Sequence, residues 1–321
     1  MKEWLEKWRH TRDRWLAQIR HKLRQKRVVF FPGLNAYDLV RFYLKGIVQG
    51  FLTMRASAIA YNFFMAMFPF LLFMLSAIAF IPIEGFQEDF INFLHDVLPP
   101  KTQGLFDNII YDLATHKRES LLSIGLLLSV LFFANGINAM LTGFESSVNK
   151  VVSKRVFYKQ YGFALLIAVF LIGIIILAIA LEVYFEIWIY QLNKKGIVED
   201  ISSWIYWSKR LIYFLMILLS VSTIYYFGTE EGRKLPFISP GSVLTSVFIV
   251  FGFYLYGLYI LNFNRYNQLY GSIGALLILQ FMFYVMSLIL LLGNELNLSI
   301  LKSQEMSVKN NGSSVEELPA D

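Results

Sequence analysis

Catalysis needs side chains that move protons, hold metal ions or attack electrophiles, and this chain of 321 residues carries few of them. Its histidines are His10, His21, His95 and His116, and it has no cysteine. Metal-dependent hydrolysis requires histidines and carboxylates gathered around an ion that activates water. The four histidines fall into two distant pairs, none at a metal-ligand spacing. The lack of cysteine removes disulfides, thiolate nucleophiles and cysteine-based zinc sites. No P-loop and no Gly-x-Ser-x-Gly elbow occurs. We therefore expect a protein that is not an enzyme and that takes no metal or cofactor.

Another set of polar residues sits inside long apolar runs. In FLTMRASAIAYNFF (51–64), Arg55 stands at the mouth of the run and Asn62 follows seven residues later. Seven residues are close to two helical turns, so both lie on one face, and Pro69 extends that stripe. Asn135, Asn138 and Thr142 repeat at i, i+3 and i+7. Asn294, Glu295 and Asn297 follow the apolar run Ile273–Leu292. Such residues inside a membrane face a bundle interior or a water-filled cavity and mark functional sites. The candidate polar cavity is thus Arg55, Asn62, Asn135, Asn138, Asn294, Glu295 and Asn297.

The elements that position them follow from composition. Hydrophobic residues make up 56% and charged residues 16%, where a soluble domain is nearer a quarter charged. Mean hydropathy is +0.53. A membrane-spanning helix needs roughly 20 apolar residues. Six candidates occur, at about 54–83, 121–143, 161–183, 210–228, 239–262 and 271–300. With the N-terminus inside, twenty of the 29 Lys and Arg lie in cytoplasmic segments and eight outside, with Arg55 at the boundary. That bias puts both termini in the cytoplasm. The Lys209–Arg210 pair, placed outside, is its one weak point.

Depth brings the polar residues together. At about 1.5 Å per residue, Asn62 lies roughly 10 Å inside the first span, Asn138 roughly 9 Å and Asn135 roughly 14 Å inside the second. Glu295 lies at the cytoplasmic boundary, level with Arg55. The fifth span starts at the same level with Pro240, Ser242, Thr245 and Ser246. An Arg55–Glu295 ion pair is the first reading, with Asn62, Asn294 and Asn297 nearby. Snorkelling of Arg55 to lipid phosphates is the second. The cluster serves either as glue between helices or as a cytoplasm-facing vestibule for a polar or anionic headgroup, with Arg55 as its contact.

Residues 1–27 hold ten Lys and Arg, no apolar signal region, and Trp4, Trp8, Trp15 and Ile19 at helical spacing. We read a basic amphipathic helix on an anionic membrane face. Residues 35–52 form a second, with Asn35 as N-cap and an apolar face of Leu39, Phe42, Tyr43 and Ile47. The outer loop 84–120 is acidic and carries two short helical periods, 86–98 and 102–116, split by Pro99–Pro100. NFNRYNQLYGS (262–272) reads as a tight outer turn, with Gly271 and Gly274 suited to close helix packing. The division is then a cytoplasmic amphipathic region 1–52, a transmembrane domain 53–301 and a disordered cytoplasmic tail 302–321.

Three stretches carry a resemblance. RASAIAYNFFMAMFPFLLF (55–73), SPGSVL (239–244) and NFNRYNQLYGSIGALLILQFMFYVMSLILLLGNELN (262–297) resemble the YihY/BrkB family of bacterial multi-pass inner-membrane proteins. The likeness covers roughly residues 35–301. The family pattern after the last span is Gly-Ala-Glu-Leu-Asn, and Asn294 stands here in place of the alanine. Members of the family once bore a ribonuclease BN label, for which this chain shows no chemistry. The resemblance implies an envelope-related transporter or flippase-like protein and supplies no substrate.

The expected fold is an all-α integral membrane protein with six transmembrane helices, two N-terminal interfacial amphipathic helices and a short helical outer region. The expected function is passage of an amphipathic envelope molecule or lipid through a cytoplasm-facing polar cavity, in the bacterial inner membrane. The alternative is a non-transporting envelope scaffold that organises lipids or partners. Expected partners are membrane lipids, anionic ones first, with an oligomer allowed and no nucleic acid.

Overall fold

The computed structural model describes residues 36–80, 111–112, 116–149, 157–194, 200–261 and 272–316. Its elements are α1 (Ala36–Gln49), α2 (Leu52–Ile78), α3 (Glu119–Glu145), α4 (Phe157–Lys194), α5 (Ile201–Gly228), α6 (Pro240–Leu261) and α7 (Ser272–Glu316), with a 3-10 turn at Gly232–Lys234. The protein is all-α, and no strand occurs among the described residues. α2 through α7 are the six helices long and apolar enough to cross a membrane. The basic segment 1–27, the outer-loop helices at 86–98 and nearly all of 102–116, and the turn 262–271 lie outside the described residues.

The six long helices close a ring in chain order. Each packs on the next, and α7 returns against α2. α2 and α3 run antiparallel, with Phe63 beside Gly136 and Phe73 beside Gly125, and so do α6 and α7, with Gly241 beside Asn297 and Gly252 beside Met286. Near Arg55 the ring packs closely on small or branched side chains: Ala56, Ile59 and Ala60 on α2 and Leu141 on α3 are wholly buried. Outward faces stay apolar, with Leu166, Ile176 and Phe251 more than half exposed. A helix apolar all round belongs in lipid or a large core.

Three boundaries differ from the sequence expectation. α4 runs eleven residues past 183, and α5 begins nine before 210. Charged residues hide these ends, and the charges are answered across the helix pair. Lys209 lies 3.1 Å from Glu182 and 3.2 Å from Glu186, and the Arg210 guanidinium stacks 4.0 Å over Tyr206. Asp200 opens α5 by accepting the Ser203 N–H. α7 continues through Ser303 to Glu316, where a disordered tail was expected.

α1 has three sides. Phe42 and Gly46 are buried against the bundle, Val40, Leu44 and Val48 form an exposed apolar edge, and Arg41 and Lys45 form an exposed basic edge. It packs on α7, where the Lys302 ammonium sits 5.6 Å over the Phe42 ring. A sharp joint carries the chain from α1 into α2. Phe51 adopts the left-handed conformation there, at φ 47° and ψ 43°, which a residue with a Cβ adopts at a cost of roughly 1–2 kcal/mol.

Candidate functional site

The joint before α2 determines where Arg55 goes. The chain turns at Gly50–Phe51, and Arg55 occupies the first turn of α2, with its backbone N–H on the Phe51 carbonyl. Its side chain folds back along the joint, and Nη1 donates to the Gly50 carbonyl at 3.0 Å. The same nitrogen donates to Glu295 Oε1 at 2.9 Å. Glu295 is fully buried and Arg55 is 9% exposed, so the guanidinium is drawn into the bundle rather than out to a headgroup layer. The other Glu295 oxygen, Oε2, accepts from the Ser147 hydroxyl at 2.8 Å.

A ring of polar groups closes over this pair. Asn149 donates from Nδ2 to the Phe42 carbonyl of α1 at 2.8 Å, and its N–H bonds Ser147 Oγ at 3.1 Å. Ser299, one turn after Glu295, donates to the Glu295 carbonyl at 2.6 Å. α1 covers the carboxylate with a glycine: a Cβ on Gly46 would collide with Glu295 Oε2 and lie 2.7 Å from Asn149 Nδ2. Tyr43 flanks the same carboxylate. Burial first, and then the negative charge of Glu295, push its phenol up. Arg55 Nε and Nη2, Asn149 Oδ1 and Asn294 Nδ2 are buried without a protein partner.

Asn297 belongs to a neighbouring network that starts α6. The sequence Ser239-Pro240-Gly241-Ser242 opens that helix with Pro at its first position, where the missing N–H is harmless. Ser239 Oγ accepts the Ser242 N–H at 3.1 Å, and Ser242 Oγ accepts the Ser239 N–H at 2.9 Å. This is a capping box with serine in the role usually held by glutamate. Asn297 reaches over from α7, accepts the Gly241 N–H at 2.9 Å and donates to Ser239 Oγ at 2.9 Å. Gly241 and Gly293 let the two backbones approach, since a Cβ on either would strike the opposite helix. Tyr225 of α5 locks the crossing, donating to the Leu290 carbonyl at 2.6 Å and bonding the Thr245 hydroxyl at 2.8 Å.

The remaining candidates are not brought to Arg55. Asn62 donates to the Ala58 carbonyl of its own helix at 2.8 Å. It shares a stripe with Arg55 but lies roughly 10 Å along the axis, and its own helix already meets its need for a partner. Asn138 bonds Gln160 of α4 at 3.1 Å, and Gln160 also donates to Thr142 at 2.8 Å. Asn135, on the same edge but a turn further out, is exposed. Along the face expected to run from Arg55 through Asn62 to Asn138, the hydrogen bonds among the described residues thus fall into separate networks. Ser147, Asn149, Ser299, Gly46 and Gln160 were missed. Ser299 was findable, because i+4 from Glu295 shares its face. Ser147 and Asn149 lie just beyond α3, in a stretch that reads only as a polar connector.

Further along the helices from Arg55 the ring holds an apolar chamber of about 390 Å³. Phe63, Met67 and Phe70 of α2, Phe133 of α3, Ile172 of α4 and Phe283 of α7 line it. Its hydroxyl, Ser129, donates to the Leu126 carbonyl at 2.8 Å.

Comparison with known proteins bears on this arrangement. A family model described as virulence factor BrkB matches residues 44–316, from within α1 to the end of α7. The chain belongs to the virulence factor BrkB family. The BrkB match therefore contains Arg55, both asparagine networks and the chamber. The chain is 25% identical over 260 residues to a protein of Bacillus subtilis (strain 168) described as ribonuclease-like protein YfkH, covering 80% of this chain and 92% of the relative. It is also 25% identical over 280 residues to a UPF0761 membrane protein of Chlorobium limicola, covering 84% of this chain. It spans 60% of that relative's length. No solved structure matches the chain.

Proposed function

We propose that this BrkB-family protein is a transporter or flippase-like protein for an amphipathic envelope molecule, with a lipid as cargo. The observation that carries the reading is the Arg55–Glu295 pair. A buried ion pair is weak as a stabilising device, and ionisable residues inside a membrane are functional by default. Two of the three Arg55 guanidinium nitrogens, Nε and Nη2, and the Asn294 amide nitrogen have no partner among the described residues. A guanidinium edge with free donors suits a phosphate or carboxylate headgroup. Arg55 is the headgroup contact, and Glu295 holds it at the cytoplasmic end until cargo competes.

The site is placed in a bacterial inner membrane with both termini in the cytoplasm. The Lys and Arg bias supports this orientation, and its weak point shrinks because Glu182 and Glu186 compensate Lys209. The three-sided α1 suits an interfacial position, with its basic edge toward anionic lipid. The protein is taken as non-catalytic despite the ribonuclease-like name of one relative. Among the described residues no three His, Asp or Glu side chains gather where a metal ion could sit.

One observation favours the scaffold reading. Asn62 bonds its own helix and Asn138 bonds Gln160, so among the described residues neither is hydrogen-bonded to the Arg55 network. Proteoliposomes holding a fluorescent phosphatidylglycerol separate the two. Transport predicts lipid exchange well above that of empty vesicles, lowered about tenfold in folded Arg55→Lys by the loss of charge-assisted hydrogen bonds. Exchange equal to empty vesicles removes the transport reading and leaves the scaffold.

A further inference from the structure

We propose that the chamber between α2, α3, α4 and α7 is a binding site for an acyl chain of a membrane phospholipid. The inference deepens the proposed transport of an envelope lipid by giving its hydrocarbon part a place. Four observations lead to it.

The first is chemistry. The lining is aromatic and aliphatic, and Ser129 spends its hydroxyl hydrogen on its own helix. A polar ligand would shed its water and find no donor there, which is unfavourable. Hydrocarbon loses nothing.

The second is depth. Phe63 to Phe73 lie roughly 16–31 Å from the start of α2, and Phe283 lies roughly 16 Å from the opposite start of α7. The chamber therefore occupies the middle and outer part of the span, where acyl chains are the surrounding solvent.

The third is access. Ala66 and Ser129 at its base are 5% and 7% exposed, whereas Phe70, Leu126 and Ile175 on its rim are about half exposed. The space penetrates between helices and opens on the lipid side.

The fourth is shape. α2 and α3 are pinched together at both ends. Gly125 abuts the Phe73 backbone, with a notional Cβ 3.1 Å from it, and Gly136 abuts the Phe63 ring at 3.0 Å. The pinches are ten and eleven residues apart on the two helices, or roughly 15 Å. Residues at both pinches line the one chamber of about 390 Å³. Carbon atoms in contact sit about 3.5–4.0 Å apart, so a space of that length suits an extended hydrocarbon chain.

The test uses the full chain in nanodiscs doped with phosphatidylglycerol bearing a diazirine at one chain end. Photolabelling followed by peptide mapping is expected to place adducts on Met67, Phe133 and Phe283. Filling the base with Ser129→Phe should lower those adducts about fivefold or more by overpacking the space, while labelling of the outward Leu177 persists. Ala66→Leu is the second filling variant. Adducts that follow exposure alone, on Leu177 and Ile176 but not in the chamber, overturn the proposal, and the unsubstituted protein suffices for that result. Chamber labelling that persists in both filled variants overturns it too. A diazirine palmitate is run in parallel, and chamber labelling by the free acid but not by the phospholipid overturns the phospholipid assignment. Binding is read without transport. A labelled chamber in a protein that exchanges no lipid leaves this site standing and removes the transport reading, and the converse result does the reverse.

Discussion

Arg55 and Glu295 are 240 positions apart in the chain and 2.9 Å apart in the fold. The contact ties the first long helix of the ring to the last. Removing one partner of a buried pair leaves the other charged and unanswered, which costs about 3–5 kcal/mol. We expect Arg55→Met and Glu295→Leu each to lower stability by that order in mixed micelles. The double variant should lose clearly less than the two single losses together. Strict additivity would show that the two charges do not stabilise each other.

The joint at Phe51 stores conformational strain beside that pair. Phe51 is 73% exposed, so its ring contributes little to bundle packing. Phe51→Gly should raise stability by about 1 kcal/mol by relieving the left-handed conformation, and Phe51→Val should lower it by about as much. Thermal unfolding of the two variants checks the sign, and a fall in both would sink the explanation.

Glycines at two positions should respond in opposite ways. Gly46→Ala drives a methyl group into the Glu295 carboxylate and the Asn149 amide, and overpacking of this kind costs about 1–3 kcal/mol. Nothing lies within 4 Å of a Cβ on Gly173. Gly173→Ala should be neutral or should stabilise by about 0.5–1 kcal/mol through helix propensity. Melting curves that rank them the other way would show that α1 does not rest on the carboxylate.

Asn297 caps a helix that is not its own. Asn297→Ala strips a partner from the Gly241 N–H and from Ser239 Oγ, at a cost of about 1–3 kcal/mol. Ser239→Ala removes the cap hydroxyl itself and should cost about 1 kcal/mol. Amide exchange should speed up first in the opening turn of α6. Unchanged exchange there, with loss elsewhere, would mean that Asn297 serves another purpose.

A ribonuclease role makes a plain counter-prediction. The described histidine, His116, lies 3.4 Å from Asp112. Purified protein should leave RNA as intact as a detergent blank does with magnesium, manganese or zinc present. Metal-dependent cleavage that survives further purification would overturn the non-catalytic reading.

Sequence legibility followed the physics of one helix at a time. Six apolar runs had to become six spanning helices, because a backbone in lipid must satisfy its own hydrogen bonds. Glu295 could be matched to Arg55 because depth along a helix is residue count times rise. Azimuth could not be read in the same way. Asn62 and Asn138 share stripes that look inward, yet Asn62 donates to the Ala58 carbonyl of its own helix and Asn138 meets Gln160. Which way a stripe faces depends on where the neighbouring helices stand. The ends of α4 and α5 were hidden for a related reason, since Lys209 reads as a loop charge until Glu182 and Glu186 are seen beside it.

The sequence by itself determined the class of solvent, the number of spans, their alternation and the level of each polar residue. These follow from hydrophobicity and helix rise, which are local. Only the tertiary structure decided that α7 closes the ring on α2, that Gly46 lies over Glu295, and that Ser147 and Asn149 complete its shell. The chamber was decided there too. Such features arise from the packing of surfaces far apart in the chain, and packing depends on side-chain shape at every contact at once.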